Sequence, residues 1–522
     1  MVAGGEAGDK RRRAGWGRRG PAYAGTMPSP EVSTSSTGRE ISTAPEPVVV
    51  GFDLDLTLID TRPGFAATLA VLAEETGVTF DVNSLVERLG PPLDLLLAPY
   101  YPPEQMADVV AAFRAHYPAH AISRTLALPG AQEALHAVRR HGGRTVLVTG
   151  KFTSNAQLHV DALRFGVDAV VGEVWGTGKG AVLTEHGATV YVGDHVHDVE
   201  GARAAGAVSV SVLTGGCTEQ ELWDAGTDVV LHDLTEFPAW FDRHVLDLRL
   251  AALESRLREL GSVLVAYSGG ADSAFLLAAA VRALGSDRVG AATAYSDSLP
   301  QSERSPARDF AESLGVRVLT PETHEMEREG YRANAGDRCY FCKAELLDVL
   351  APLAERHGLA HVATGTNADD AVAGFRPGIR AAAERGAVTP LRDVGFTKGE
   401  VRAASRAWDL PTWDKPAAAC LSSRVAYGIE VSPFRLARVE RAEAAVRAAL
   451  QSAGVEVRDL RVRDLGDSAS LEVDKDRVDV VRALPSVRHA LLAAGFPDAE
   501  VDLRGFRSGA MNERLAAPER FR

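Results

Sequence analysis

Short runs of branched and apolar residues alternate along this chain with stretches whose apolar positions recur every three or four residues. VVVGF (48–52), TVLV (145–148), VYV (190–192) and SVLVA (262–266) have the length and composition of buried strands. GAQEALHAVRRHG (130–142) and SPFRLARVERAEAAVRAAL (432–450) have the helical period, whereas VRDLRVRDL (457–465) alternates as a strand does. Strand and helix patterns taken in turn predict an α/β protein with parallel sheets, whose chemistry gathers at the carboxyl edge of the strands.

Polar residues stand where three of these strands end. The first delivers Asp53 and Asp55, then Thr57; the second ends in Thr149; the third ends in Asp194 and Asp198, with Lys179 in GTGKG between them. On a straight strand Asp53 and Asp55 would share a face, but a loop at the strand end brings both to one centre. Mg²⁺ prefers hard carboxylate oxygens, one aspartate can attack phosphorus, a second can protonate the leaving oxygen, and lysine offsets the charge. The set suits Mg²⁺-assisted phosphoryl transfer. GTGKG is not a Walker A loop, because Gly180 stands where a hydroxyl should reach the ion. His195 and His197 are expected to face substrate or solvent rather than a metal.

The fourth strand runs into Ser268-Gly269-Gly270-Ala271-Asp272-Ser273 and then into a helical pattern, so free N–H groups and a helix dipole meet there. No lysine lies in this loop. A loop built on N–H groups and hydroxyls suits pyrophosphate as a leaving group, which directs attack to the α-phosphate of a nucleotide. Three cysteines follow, Cys339 and Cys342 in DRCYFCK and Cys420 in KPAAACLSSR, with Cys217 far upstream. Three thiols are one short of a structural zinc site. An iron–sulfur cluster with one open iron and a redox pair beside an unrelated Cys420 both remain open.

Composition narrows the partners. A chain of 522 residues is too long for one core and predicts roughly three domains. Residues 1–46 combine KRRRAGWGRRG with Pro, Ser and Thr and no apolar period, so a disordered tail is expected, with either Met1 or Met27 as the start. The net charge of −13 argues against a nucleic-acid partner, and no apolar run is long enough for a membrane span. Four cysteines suit a reducing cytoplasm.

Two resemblances follow from these motifs. The series Asp53/Asp55, Thr149, Lys179, Asp194/Asp198 resembles the four motifs of the haloacid dehalogenase-type phosphatases, over about residues 47–245. Residues 64–126 match the helical cap of phosphoglycolate-phosphatase-like members. The resemblance implies a Rossmann-like domain, an aspartyl-phosphate at Asp53, acid/base work by Asp55, and Mg²⁺ among Asp53, Asp55, Asp194 and Asp198. SGGADS resembles the PP-loop of ATP pyrophosphatases. With TAYSDSLPQSE, DRCYFCK, GTNADD, RPG, LPTWDKPAAACLSSR and RVRDLGD in order, residues 248–515 resemble the LarE family of pyridinium-3,5-bisthiocarboxylic acid mononucleotide synthases.

That second resemblance implies a PP-loop domain (248–429) with a small α+β subdomain (430–515), adenylylation of a substrate carboxylate by ATP, and replacement of AMP by sulfur. Ser268, Gly269, Gly270, Asp272 and Ser273 would hold ATP, with Thr366, Asn367 and Asp370 nearby. Ser423, Arg424, Arg461 and Arg463 would contact a mononucleotide substrate. Cys339, Cys342 and Cys420 would hold a [4Fe-4S] cluster, the family's alternative being a sacrificed cysteine at Cys420. A homo-oligomer and cooperation with other nickel-pincer pathway proteins are implied as well. The competing expectations are a PP-loop enzyme that thiolates tRNA and a first half that serves only as a scaffold. Glu443 reads equally as a site acid or as part of a solvated helix face.

Overall fold

The computed structural model describes residues 47–372, 376–416, 419–507 and 509–514. The expected disordered tail lies outside them. Six parallel strands form the first sheet, in the order Ala169–Val171, Arg144–Val148, Val49–Phe52, Val190–Gly193, Val208–Val212, Val229–Leu231. The chain turns to opposite sides of Val49–Phe52, which makes the carboxyl end of that strand the place where a crevice opens. Phe52 pairs with Leu147 on one side and Val192 on the other, so Asp53, Thr149 and Asp194 emerge at one edge. The helix Ala131–Arg140 packs on this sheet through Ala131, Ala134, Leu135 and Val138, the spacing of a single helical face.

The insertion expected at 64–126 is helical. Helices Arg62–Thr76 and Pro103–His120 enclose their own core of Phe65, Leu69, Leu72, Phe113 and Tyr117. Two short antiparallel strands, Ile59–Asp60 and Leu126–Ala127, clasp its entry and exit.

A second sheet has four parallel strands, in the order Arg317–Leu319, Val289–Ala292, Val263–Ala266, His361–Thr364. Behind it the helix Ala271–Leu284 is buried along most of its length. The third sheet pairs Leu460–Asp464 antiparallel with Ser468–Val473, and Asp498–Val501 parallel to the latter. Helices Pro433–Ser452 and Pro485–Ala493 pack with it. This last core also takes in Tyr331, Leu421 and Val425, so it draws on chain well before residue 430.

The boundary expected between residues 245 and 248 falls inside a helix. Phe237–Leu260 is one helix of 24 residues, about 36 Å long. Phe237, Phe241 and Val245 are buried in the first core, and Leu253, Leu257 and Leu260 in the second. The apolar period continues unbroken through the charged residues between them. No helix among the described residues is long and apolar enough to cross a membrane.

Candidate active sites

The first site is built by a turn that immediately follows a strand. After Asp53 the chain doubles back, with Leu58 N–H donating to the Leu54 carbonyl at 2.9 Å and Leu56 N–H to the Ile59 carbonyl at 2.8 Å. Leu56 has a φ of 58°, a left-handed conformation that is costly for a branched residue and marks a constrained turn. The fold of this turn carries Asp53 and Asp55 to the same cavity, as the spacing anticipated.

All the expected residues of this half line that cavity: Asp53, Asp55, Thr149, Lys179, Asp194 and Asp198. Lys179 is buried and donates to Asp53 at 2.9 Å, Asp198 at 2.6 Å and the Tyr191 hydroxyl at 2.9 Å. Carboxylate oxygens of Asp53, Asp194 and Asp198 lie within 4.8 Å of one another. One lysine cannot balance three buried carboxylates. Burial, opposed by Lys179 and reinforced by Asp198 and Asp55, pushes the Asp53 carboxyl up to about 7. Burial and then the charges of Asp198 and Asp53 raise Asp194 well above the carboxylate range. A divalent cation would relieve this repulsion, so the donor set fits Mg²⁺.

Within the trio the oxygens are not equivalent. Asp198 accepts from Lys179 through one oxygen and from the Asp194 and His195 N–H groups through the other, at 3.2 and 3.1 Å. Its carboxylate therefore orients lysine and loop, and leaves Asp53 and Asp194 the freer donors. Thr57, noted at the sequence level only as following the acids, donates to Asp194 at 2.7 Å.

Lys151 was missed from the sequence. It lies two residues past Thr149, donates to Asp55 at 2.7 Å and sits 4.8 Å from the centre of the Tyr117 ring. Its signal was the lysine in TVLVTGK, which the strand-end pattern alone does not separate from a surface charge. His195 lines the cavity, whereas His197 packs at 4.7 Å on Trp175 and pairs with Glu200 at 2.8 Å.

At the second site, Ser268–Ser273 joins the strand Val263–Ala266 to the helix Ala271–Leu284. Gly269 has a φ of 71°, which frees the turn to expose its N–H groups. Gly365 must be small, since a Cβ there would stand 2.8 Å from the Ser273 nitrogen. The Ser268 and Ser273 hydroxyls are 3.1 Å apart. A cavity of about 360 Å³ is lined by Ser268, Gly270, Asp272, Ser273, Thr366, Asp370, Cys342 and Cys420.

The loop lacks a lysine in sequence but not in space. Lys415 donates to the Gly269 carbonyl at 2.9 Å and to Glu303 at 2.6 Å, and Lys398 donates to Asp272 at 2.5 Å. Both lie more than a hundred residues away along the chain, beyond the reach of local pattern. Asn367 does not line the cavity; it is buried, exchanging hydrogen bonds with Asp370 at 3.0 and 3.3 Å, while its side-chain N–H₂ has no partner among the described residues.

Cys339 and Cys342 are one turn apart on the helix Arg338–Arg356, and Cys420 faces them from the loop before Leu421. All are free thiols. Burial, and next the Cys420 thiol, push Cys342 up, whereas Cys339 is exposed. Cys342 and Cys420 line the cavity and Cys339 stands one helical turn from Cys342, a set of three sulfur donors of the kind an iron–sulfur cluster takes.

Ser423, Arg424, Arg461 and Arg463 do not line this cavity; Ser423, Arg424 and Arg463 brace the segment that carries Cys420. Ser423 donates to the Cys420 carbonyl at 2.7 Å and Arg424 to the same oxygen at 2.9 Å. Arg424 is buried against Glu443 at 3.0 Å, which places Glu443 in a buried pair rather than on a solvated face. Arg463 reaches Glu472 at 2.6 Å and the Ser423 carbonyl at 3.2 Å. Arg461 shares its face of the strand, lies over the Phe506 ring at 5.3 Å, and is buried rather than exposed.

Residues 50–212 match the haloacid dehalogenase-like hydrolase family model. A phosphoglycolate phosphatase of Caulobacter vibrioides is 31% identical over 218 residues, 36% of this chain and 88% of that protein. A haloacid dehalogenase-like hydrolase of known structure from Streptococcus pneumoniae is similar over 37% of this chain and 98% of its own, at 24% identity and a TM-score of 0.35. The pyridinium-3,5-bisthiocarboxylic acid mononucleotide synthase of Lactiplantibacillus plantarum is 34% identical over 271 residues, 52% of this chain and 96% of that protein. Since residues 50–212 are the hydrolase segment, this second likeness accords with the motifs between Ser268 and Asp467. The chain belongs to two families at once, the haloacid dehalogenase-like hydrolases and the family of the pyridinium-3,5-bisthiocarboxylic acid mononucleotide synthase.

Proposed function

We propose that this is a two-site enzyme, a Mg²⁺-dependent phosphomonoesterase joined to an ATP-dependent sulfur transferase. At the first site an Asp53 oxygen attacks phosphorus, and the ester P–O bond breaks as Asp55 protonates the leaving alcohol. Water, deprotonated by Asp55, then cleaves the acyl phosphate and orthophosphate departs. Lys179 favours the ionised form of Asp53 against its burial, and Thr149 offers a hydroxyl to the phosphoryl oxygens. Mg²⁺, held by Asp53 and Asp194, would neutralise charge on the phosphoryl group.

At the second site a substrate carboxylate attacks the α-phosphorus of ATP, and pyrophosphate leaves into the Ser268–Ser273 loop. A sulfur nucleophile then attacks the carbonyl carbon, AMP leaves, and a thiocarboxylate remains. The observation that carries this reading is that Cys342 and Cys420 open onto the same cavity as the nucleotide loop. An acyl adenylate formed there would lie beside the thiols. A cluster on Cys339, Cys342 and Cys420 would present exogenous sulfide at its open iron.

The test uses ATP and the pyridinium dicarboxylate mononucleotide as substrates. In an Asp53→Asn background, where the first site cannot consume AMP, AMP and pyrophosphate are expected in equal amounts, and Cys420→Ala should keep pyrophosphate release while losing thiocarboxylate. Formation of ADP and orthophosphate would overturn the reading. Iron and sulfide analysis after anaerobic purification, in wild type and Cys420→Ala, separates a cluster from a sacrificed cysteine.

A further inference from the structure

The first cavity is far larger than its reacting groups need. Its volume is about 570 Å³, within the range of roughly 300–1,000 Å³ typical of sites that enclose a drug-sized ligand. Most of the charged groups lie on the floor, and the cap adds Asp94 and Arg114. Away from the floor the wall is apolar and aromatic: Leu96, Met106 and Phe113 from the cap, Phe152 and Trp175 from the sheet domain. A two-carbon acid phosphate would leave this wall wet.

Trp175 belongs to a braced stack of rings. It lies 4.7 Å from His197 and 5.8 Å from His195, and the two imidazoles stack at 4.9 Å with planes 25° apart. His195 accepts the His197 N–H, and His197 is held by Glu200 at 2.8 Å. On the cap side, a Cβ on Gly90 would come within 3.1 Å of the His195 ring, so the stack also meets the cap. A wall fixed in advance costs a planar ligand little ordering entropy. The cationic Arg114, the one cap residue that could pair with a second acid group, lies over the Phe152 ring at 4.6 Å and 3.5 Å from Glu173. Asp94 and Asn155, an acceptor and a mixed donor and acceptor, line the same space and suit sugar hydroxyls.

We infer that the substrates of the first site are phosphomonoesters carrying a flat heteroaromatic ring, of the class of nucleoside 5′-monophosphates, with the phosphate on the aspartate floor and the ring against Trp175. This rests on the phosphomonoesterase reading above. The adenylylating reaction proposed for the other half releases one member of this class, AMP, at every turnover.

The full chain is assayed with Mg²⁺ on AMP, nicotinamide mononucleotide and phosphoglycolate. The nucleotides are expected to exceed phosphoglycolate in kcat/KM by at least about tenfold, the scale of one aromatic stacking contact. Trp175→Ala should reduce that preference by about tenfold, mostly through KM, and Trp175→Phe should retain it. In parallel, equilibrium dialysis measures AMP binding to Asp53→Asn, with and without Trp175→Ala. Phosphoglycolate cleaved as well as or better than the nucleotides, or a preference that survives Trp175→Ala, overturns the inference while leaving the phosphomonoesterase intact. Loss of all ester cleavage with Trp175-dependent AMP binding retained overturns the phosphomonoesterase reading and leaves the ligand class standing.

Discussion

Lys179 is 2% exposed and is the cation that faces Asp53 and Asp198 directly. Removing one partner from a buried ionic group leaves the others unpaired, which costs about 3–5 kcal/mol. Lys179→Met should therefore unfold at markedly lower urea concentration than wild type in EDTA, and Mg²⁺ should restore part of the difference. Equal urea midpoints would show that the lysine does not hold the acids together. Lys415 has the corresponding place at the second site, on the carbonyl of Gly269. A hydrogen bond to a charged group is worth about 1.5–3 kcal/mol, so Lys415→Ala should weaken ATP binding at least about tenfold, measured by calorimetry. Asp53, Asp194 and Ser268 were legible in sequence because each ends a strand. Lys151, Lys398 and Lys415 were not, because only folding brings their charges to the loops they serve.

Elements meet at an ionic junction between the two halves. His141, just past the helix Ala131–Arg140, lies 2.7 Å from Asp242 and 3.5 Å from Glu400, while Arg249 also donates to Glu400. Glu400 closes the capping box of the helix Lys398–Ala407, whose first residue reaches Asp272 of the nucleotide loop. The hydrogen bond with Glu400, against burial and with help from Asp242, raises the His141 pKa above 6.5. Burial opposes ionisation of Glu400, but His141, Arg249 and Thr397 together lower it from 4.5 to about 2. The signs are opposite. The histidine's contribution is complete below pH 6.5 and is lost as pH rises through its raised folded value; the glutamate's is complete above pH 4.5 and is lost as pH falls toward about 2. Thermal stability of wild type should accordingly decline as pH rises above about 6.5, and His141→Gln should flatten that slope. An unchanged slope would remove His141 from the junction. The Thr397–Glu400 capping box lies within a local stretch, but nothing local announced its contact with residues 141 and 249.

For the whole molecule, the continuous helix Phe237–Leu260 matters most, since the same rod is core for two sheets. Phe241→Ala should cost about 3–5 kcal/mol and Leu257→Ala about 2–5 kcal/mol, by cavities in different cores. Calorimetry of wild type should give one transition for the described halves, and three glycines inserted after Asp247 should split it into two. Two transitions in wild type would make the shared helix an ordinary tether. The sequence by itself determined the strands, the helices and the groups at strand ends, because burial and backbone hydrogen bonding impose a local period that can be read residue by residue. Only the tertiary structure decided which distant lysines answer which loops, that the arginines near Cys420 are buried buttresses, that one helix serves two cores, and how wide the cavity under the cap stands. Those outcomes depend on distances between segments far apart in the chain, and electrostatics and packing act through distance rather than through order along the backbone.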